Sequence, residues 1–232
     1  MFDYIRSKIY KKRLSIYNQR KYARFQNIYK KYKELTMIPE QAYVNNLLLS
    51  ERIIGLQGSI VECGVWRGGM IAGIADLLGE SRHYYLFDSF EGLPEAKEID
   101  GKSAIDWQSN INGEMYHDNC CAPEEYAQNA MKISLAKNYT LKKGWFEETL
   151  PNFNTSKKIA LLRLDADWYS STQLCLTFLF DLIVENGLII IDDYYAWDGC
   201  SRAVHDYLSK NSRSERIESF NGICFIRKRS ND

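Results

Sequence analysis

Two apolar runs, each followed by a pair of aspartates, constrain the fold of this chain more than any other feature. The runs and their aspartates are 159–164 with Asp165 and Asp167, and 187–191 with Asp192 and Asp193. Runs of this length, rich in branched side chains, are typical of buried parallel strands. In an open α/β sheet, ligands bind at the carboxyl ends of such strands. We therefore expect the four carboxylates to share one crevice.

Four neighbouring carboxylates repel one another unless protons or a cation neutralise them. Oxygen ligands without His or Cys suit Mg²⁺, Mn²⁺ or Ca²⁺ better than zinc. The alternative is that these aspartates simply cap strand ends at the surface. The repeated pattern favours a metal site.

The rest of the chain alternates between strand and helix patterns. The predicted helices are 35–57, 70–78, 123–137, 170–185 and 199–210, and the predicted strands are 59–63, 83–88, 139–142, 159–164, 187–191, 216–220 and 223–227. Asn186-Gly187 reads as a helix stop, and Asn221-Gly222 is a strong hairpin signal. This order predicts a doubly wound parallel α/β sheet that ends in an antiparallel hairpin. The long polar stretch 89–122 is predicted to be a functional loop or lid.

The turn after the first predicted strand carries the signature of a nucleoside-binding end. Gly64 and Gly68 precede a helix, and Asp88 ends the next strand, where an acid can accept hydrogen bonds from a ribose. Asp88 could instead cap the turn that follows its strand. Trp145 is a candidate wall for adenine, and core packing is its alternative role. A glycine turn without a phosphate-binding lysine suits S-adenosylmethionine. The predicted cofactor-binding residues are Glu62, Gly64, Val65, Arg67, Gly68, Asp88, Ser89 and Trp145.

Charge divides the chain unevenly. Residues 1–34 carry eleven Lys/Arg and two acids, whereas the remainder carries nineteen basic and twenty-eight acidic residues. Apolar residues between Tyr4 and Tyr17 fall near helical spacing, so 1–34 is predicted to be a basic amphipathic extension of a domain over 35–232. Packing on the domain or on a second subunit is the favoured role, and contact with an anionic membrane surface is the alternative. Nucleic acid is not an expected partner, since no aromatic-rich binding module follows.

Cysteine usage and hydropathy point to a reducing compartment. The six cysteines show no metal-finger spacing, and Cys63 and Cys224 lie within apolar runs as core residues do. No signal peptide and no run long enough to span a membrane is evident. A cytoplasmic location is therefore the expectation.

Five segments resemble the macrocin O-methyltransferase (TylF/MycF) family. They are VECGVWRGG at 61–69, FDSFEGLP at 87–94, KGWFEETLP at 143–151, LDADWY at 164–169 and IDDY at 191–194. The resemblance runs from about Thr36 to Phe225, leaving 1–34 outside. It implies a class I methyltransferase fold, S-adenosylmethionine as methyl donor, and Mg²⁺-dependent transfer to a sugar hydroxyl.

The same resemblance assigns roles at the strand ends. It implies Asp165, Asp192 and Asp193 as metal ligands and Asp167 as the base, with His117 in the lid as an alternative base. The expected acceptor is a sugar-containing small molecule or a lipid-linked glycan. The lid, Trp168 and Tyr169 are candidate walls for it, and core packing is the equal alternative for the two aromatic residues. A second copy of the chain, in a homo-oligomer, is a further candidate partner.

Two other functions stay open at the level of sequence. Asp165-x-Asp167 also fits the metal motif of nucleotide-sugar glycosyltransferases, although Arg163 is the only basic residue close to it. Strand alternation puts Arg163 on the face of Asp165, where pairing with a carboxylate is its simpler role. A non-catalytic protein that acts through its basic arm is the third function.

Overall fold

The computed structural model describes residues 19–114, 116–153 and 158–230. Helices and strands alternate along them, as the sequence pattern predicts. The helices are α1 (19–32), α2 (Glu40–Ser50), α3 (Gly69–Leu78), α4 (Lys102–Ser109), α5 (Glu124–Ile133), α6 (Phe146–Thr149), α7 (Tyr169–Leu179) and α8 (Asp198–Lys210). The strands are β1 (Ser59–Cys63), β2 (His83–Asp88), β3 (Asn138–Lys143), β4 (Ile159–Leu164), β5 (Ile183–Ile191), β6 (Ile217–Phe220) and β7 (Ile223–Arg227).

The described strands form one sheet in the order β3-β2-β1-β4-β5-β7-β6. Strands β1 to β5 are parallel, and β7 runs antiparallel to both β5 and β6. Asn221 and Gly222 form the turn between β6 and β7, both with positive φ angles of 49° and 84°. The predicted doubly wound sheet with a terminal antiparallel hairpin is therefore confirmed.

The strand order places the site. The chain moves outward from β1 to β2 and β3, then returns to the other side of β1 with β4, so the order reverses between β1 and β4. The amide of Asp165 donates to Cys63 O at 2.9 Å, and the amide of Gly64 donates to Phe87 O at 2.9 Å. The carboxyl ends of β1, β2 and β4 are thus joined where a ligand crevice is expected in an open α/β sheet.

Helices cover the sheet in two layers. Side chains of α1, α2, α3 and α5 pack into one apolar cluster, and those of α7 and α8 pack into another on the opposite face. Strand alternation divides β1 between them, because Ile60 belongs to the first cluster whereas Val61 and Cys63 belong to the second. All six cysteines are free, and the predicted core residues Cys63 and Cys224 are buried.

The end of the predicted helix 170–185 is wrong. Helix α7 ends at Leu179, and β5 already begins at Ile183, which pairs with Ile159. The register between β4 and β5 then shifts, and Asn186 takes a positive φ of 63°. Asn186 therefore belongs to a bulge inside the strand, and burial of Ile183 in the sheet overrides the local stop signal.

The predicted helix 35–57 is also shorter in the structure. Residues Lys33–Leu35 form a 3₁₀ turn, Thr36 is extended, and α2 begins only after Pro39. Pro39 itself is extended, with φ −60° and ψ 149°, so it acts as the residue that precedes the helix.

Part of the basic extension packs on the domain. Helix α1 buries Phe25, Ile28 and Tyr32 in the first apolar cluster. The predicted stripe from Tyr4 to Tyr17 lies outside the described residues. In the described part of the chain, no helix has the length and apolar character needed to cross a bilayer.

Candidate active site

The glycine turn after β1 lies directly against the end of β4. Gly64 has a φ of 82°, and a Cβ atom built on it would lie 1.7 Å from the carbonyl oxygen of Asp165. Gly68 has a φ of 79°, and its Cβ would lie 2.9 Å from Ala127 Cα. Only glycine fits at these positions, because the neighbouring protein backbone occupies the space of a side chain. The turn thereby packs the end of β1 against the end of β4.

Asp88 holds this turn in place. Its Oδ2 accepts hydrogen bonds from the amides of Val65 and Trp66 at 2.6 and 2.8 Å, and its Oδ1 accepts one from Phe90 at 2.7 Å. Burial raises the pKa of Asp88, while these backbone hydrogen bonds act in the opposite direction. The turn-cap role that the sequence left open is therefore present. Because Asp88 also lines the central cavity, ribose binding stays a prediction.

A cavity of about 540 Å³ runs along the carboxyl ends of the strands. The glycine turn and the residues after β3 line one part, and the aspartates after β4 and β5 line another. Segments around α2 and the β6–β7 turn complete the wall. Nine of the predicted site residues line the cavity: Gly64, Asp88, Ser89, His117, Trp145, Asp165, Asp167, Asp192 and Asp193.

Three of the four aspartates converge. Oxygen atoms of Asp165, Asp167 and Asp193 lie within 4.8 Å of one another. Burial raises the pKa of Asp165 to about 6, against the opposing charge of Arg163, and burial with the charge of Asp165 raises the pKa of Asp167 to about 8. Burial and the charge of Asp167 also raise the pKa of Asp193. The cluster has the donor chemistry of a site for a hard divalent cation.

Asp192 lies outside this converging group and pairs with Arg163, a partner that it shares with Asp165. Its Oδ1 lies 2.7 Å from Nη2 of Arg163, whose Nη1 lies 2.8 Å from both Glu62 Oε1 and Asp165 Oδ2. Arg163 also donates from Nε to Asn46 Oδ1 at 3.2 Å and is 1% exposed. The expected pairing of Arg163 with a carboxylate is confirmed. The structure thus brings Asp165, Asp167 and Asp193 together, and it places Asp192 on the arginine beside them.

Four predicted cofactor residues do not line the cavity. Glu62 is buried against Arg163, and burial raises its pKa to about 8 even though the arginine opposes the shift. Val65 contributes its backbone amide to Asp88. The guanidinium of Arg67 stacks on the rings of Trp66 and Tyr126, 4.3 and 4.7 Å from their centroids. Gly68 packs against α5.

The segment 89–122, which we call the lid, covers the part of the cavity that the aspartates line. Pro94 O accepts a hydrogen bond from Trp168 Nε1 at 2.9 Å, and Asp100 Oδ1 accepts one from the amide of Tyr169 at 2.7 Å. Gln108 and Asn119 tie the segment to itself through a 2.9 Å hydrogen bond. The first part of this lid is thereby held on the segment that follows β4.

Trp168 and Tyr169 do not form walls of this cavity, and Trp168 takes the alternative role of a core residue. Trp168 is 1% exposed beneath the lid, and Tyr169 directs its hydroxyl to Asp206 at 2.8 Å. Neither residue lines the cavity, whereas Trp107 and Trp197 do. Trp197 follows Asp193 by four residues, so its position after β5 was a usable signal. Trp107 is brought in by the lid, and no local pattern marks it.

Two further contacts bear on the candidate bases. Trp197 Nε1 donates to Asp167 Oδ1 at 3.0 Å, and Asp167 has a positive φ of 52°. His117 lines the cavity and precedes three consecutive residues with positive φ, 118–120. Both candidate bases therefore lie on the same cavity.

Comparison with known proteins gives one consistent family. The sequence model of the macrocin O-methyltransferase (TylF) family matches residues 19–229. This match includes α1, so the predicted start of the resemblance near Thr36 is too late. The packing of α1 into the core explains why it belongs to the matched region.

Two biosynthetic enzymes illustrate the similarity. The chain is 34% identical over 175 residues to the 8-demethyl-8-(2,3-dimethoxy-alpha-L-rhamnosyl)-tetracenomycin-C 4'-O-methyltransferase of Streptomyces olivaceus, covering 72% of this chain and 64% of that enzyme. It is 31% identical over 186 residues to the demethyldecarbamoylnovobiocin O-methyltransferase of Streptomyces niveus, covering 75% and 68%. The chain thus spans about two thirds of the length of these relatives.

Solved structures agree on the architecture. The O-methyltransferase NovP superposes with a TM-score of 0.69 at 27% identity, covering 84% of this chain and 83% of NovP. The calicheamicin methyltransferase CalS11 superposes with a TM-score of 0.61 at 19% identity, covering 88% and 91%. The second similarity concerns the fold alone.

Proposed function

Since this chain belongs to the macrocin O-methyltransferase family, we propose that it transfers a methyl group from S-adenosylmethionine to a sugar hydroxyl in a divalent-metal-dependent reaction. One observation carries the proposal. A single cavity is lined by the glycine turn with Asp88 and by the carboxylates of Asp165, Asp167 and Asp193. Such a cavity can hold an activated methyl donor next to a group that acidifies a hydroxyl.

The cofactor end has the features that S-adenosylmethionine needs. Gly64 leaves its backbone open to the cavity, and Asp88 is the proposed partner of the ribose hydroxyls. Ser89 lies beside it, and Trp145 lines the same wall as a platform for adenine. Binding at this end positions the sulfonium methyl toward the carboxylates, where alignment with the acceptor oxygen is the main requirement.

The metal site is proposed to use Asp165 and Asp193. Two residues are candidates for the third carboxylate ligand. The distances between oxygen atoms favour Asp167, whereas the family resemblance implies Asp192. The donor set consists of carboxylate oxygens that face the cavity, which fits Mg²⁺ or Mn²⁺. When bound, the cation would lower the pKa of an acceptor hydroxyl.

Proton removal is assigned to Asp167 or His117. An alcohol is a poor nucleophile near neutral pH, so a base within reach of the hydroxyl is required. Asp167 is oriented by the Trp197 Nε1 hydrogen bond, whereas His117 approaches from the lid. Trp107 and Trp197 offer aromatic faces to the sugar ring.

The acceptor is proposed to be a sugar carried on a small molecule or on a lipid. The relatives are named for a rhamnosyl tetracenomycin and a decarbamoylnovobiocin derivative, both of them antibiotic precursors. The sugar is the feature we carry over to this chain.

The glycosyltransferase alternative has little support. A nucleotide-sugar enzyme needs a cationic group for the diphosphate close to its metal carboxylates. Arg163 is engaged by Glu62, Asp165 and Asp192 within the buried network, which leaves it poorly suited to that role.

The direct experiment is a mass-spectrometric search for methylated products. The full chain is incubated with trideuteromethyl S-adenosylmethionine and extracts of glycosides and glycolipids, with Mg²⁺ or with EDTA. We expect a labelled product that depends on Mg²⁺ and is lost in the Asp165→Asn variant. Labelled product at the same level in EDTA would overturn the metal part of the proposal.

A further inference from the structure

We propose that the protein docks on an anionic membrane surface through a basic patch formed by Arg20, Arg24, Lys31, Ile133 and Leu135. The patch joins the exposed side of α1 to the segment that follows α5. Docking on a membrane goes beyond methyl transfer and can be tested without knowledge of the acceptor.

Helix α1 has two distinct sides. Phe25, Ile28 and Tyr32 are buried against the domain at spacings of three and four residues. The flank beside this buried side is exposed and carries cations at helical spacing. Arg20, Arg24 and Lys31 line one shallow groove there together with Asp76. This flank is therefore a cationic stripe fixed in place by the packing of the buried side.

Exposed apolar side chains lie next to this stripe. Ile133 is 54% exposed and Leu135 is 57% exposed. Lys31 Nζ donates to Ile133 O at 2.8 Å, and the amide of Leu135 donates to Asp76 Oδ1 at 2.8 Å. These contacts hold the two apolar side chains beside the cations of α1.

The patch keeps a positive charge after its internal ion pairs are counted. Asp76 is paired with Lys31 at 2.7 Å, and Glu80 is paired with Lys137 at 2.5 Å. Arg20 and Arg24 add two further exposed cations. The surface thus presents cations around an apolar tip.

This combination matches the interface of an anionic bilayer. Cations near such a surface each contribute about fivefold to binding, and apolar side chains gain by entering the headgroup boundary. The phosphates of a nucleic acid would bind the cations but would not bury the side chains of Ile133 and Leu135. Two apolar residues are also too few for the core of a typical interface of about 800 Å² per partner.

The test is flotation of the full chain with vesicles of equimolar phosphatidylglycerol and phosphatidylcholine. The Arg20→Gln/Arg24→Gln double variant should bind about 25-fold more weakly, since two cations are lost. The Ile133→Ser/Leu135→Ser variant should bind about tenfold more weakly. The matched control Arg202→Gln/Lys210→Gln removes two exposed cations from α8, on the opposite face of the sheet, and should bind like the wild type.

Four results would each overturn the proposal. The first two are that the wild type does not bind anionic vesicles, or that it binds pure phosphatidylcholine vesicles equally well. The other two are that the patch variants and the control variant lose binding to the same extent, or that the patch variants bind as the wild type does. Circular dichroism melting checks that each variant is folded. Sedimentation velocity tests whether the wild type forms a dimer and whether Ile133→Ser/Leu135→Ser abolishes it. A dimer lost in this variant, together with no binding to vesicles, would assign the patch to contact with a second copy of the chain.

Discussion

At the scale of single residues, clustered carboxylates dominate the chemistry of this cavity. Three aspartates with raised pKa values share a space less than 5 Å across, and mutual repulsion makes this arrangement costly without a cation or protons. The neighbouring Arg163 already neutralises part of the charge from the buried side. A cation on the cavity side would neutralise the rest.

We predict that Asp165→Asn and Asp193→Asn each weaken Mn²⁺ binding at least tenfold, because each removes a charged oxygen ligand. Electron paramagnetic resonance titration of Mn²⁺ measures the free ion. Glu147→Gln is the matched control, since Glu147 lines the same cavity but lies outside the converging group. Normal Mn²⁺ affinity in both aspartate variants would remove the metal site from the account.

The third metal ligand can be identified in the same titration. The observed distances predict that Asp167→Asn weakens Mn²⁺ binding more than Asp192→Asn does, because Asp167 belongs to the converging group of oxygen atoms and Asp192 does not. The opposite order would favour the ligand set that the family resemblance implies.

Asp88 is expected to act on the cofactor and on the turn. Replacing it with Ala should weaken S-adenosylmethionine binding about tenfold or more and leave Mn²⁺ binding unchanged, since the ribose hydroxyls lose a charged acceptor. Calorimetry measures binding of the cofactor, and Glu91→Ala, at an exposed acid three residues further along the chain, is the control. An unchanged dissociation constant would mean that Asp88 only caps the turn.

The sequence predicted some of these residues better than others. The aspartates could be found because apolar runs reveal where parallel strands end. Glu62 could not be placed, because its partner Arg163 lies 101 positions away in the chain. Trp168 and Trp197 are both aromatic residues after strands, and only the packing of the lid decides which one is buried.

At the scale of elements, the turn between β1 and α3 is the most constrained connection. We predict that Gly64→Ala destabilises the protein by at least about 3 kcal/mol, since its Cβ would overlap the backbone of Asp165. Gly222→Ala is the matched control: its φ of 84° is almost the same, yet its Cβ would meet no atom within 4 Å, so about 1 kcal/mol is expected. Urea denaturation measures both, and equal losses would show that crowding at Gly64 is unimportant.

The lid is expected to depend on one buried hydrogen-bonding side chain. Asp100 is 3% exposed, and its carboxylate accepts hydrogen bonds from the backbone amides of Lys97 and Tyr169. Asp100→Ala should leave both donors unpaired and speed proteolysis within 89–122, whereas Asp106→Ala, on the exposed side of α4, should not. Digestion followed by mass spectrometry locates the cuts. Identical digestion patterns would show that Asp100 does not fasten the lid.

Element types were predictable from the sequence, but several boundaries were not. The alternation of apolar runs with amphipathic segments is a local property, and it predicted the parallel strands and the hairpin. The start of β5 at Ile183 depends on pairing with Ile159, which is a tertiary contact. The lid helix α4 was missed because most of its residues are polar and only Ala104 is buried.

At the scale of the whole molecule, the two faces of the sheet are covered by different helices. Helix α1 and its neighbours cover one face and carry the basic patch, while the other face holds α7 and α8. The cavity lies at the carboxyl edge between the two layers. This arrangement leaves the proposed membrane contact on a layer of its own, so removing the patch should not remove cofactor binding.

Calorimetric titration of the full chain with S-adenosylmethionine and, separately, with a UDP-sugar tests the central claim most directly. The account predicts saturable binding of S-adenosylmethionine, weakened by Asp88→Ala, and no measurable binding of the UDP-sugar with or without Mg²⁺. Mg²⁺-dependent binding of the UDP-sugar, with no heat from S-adenosylmethionine, would contradict the account and favour a glycosyltransferase.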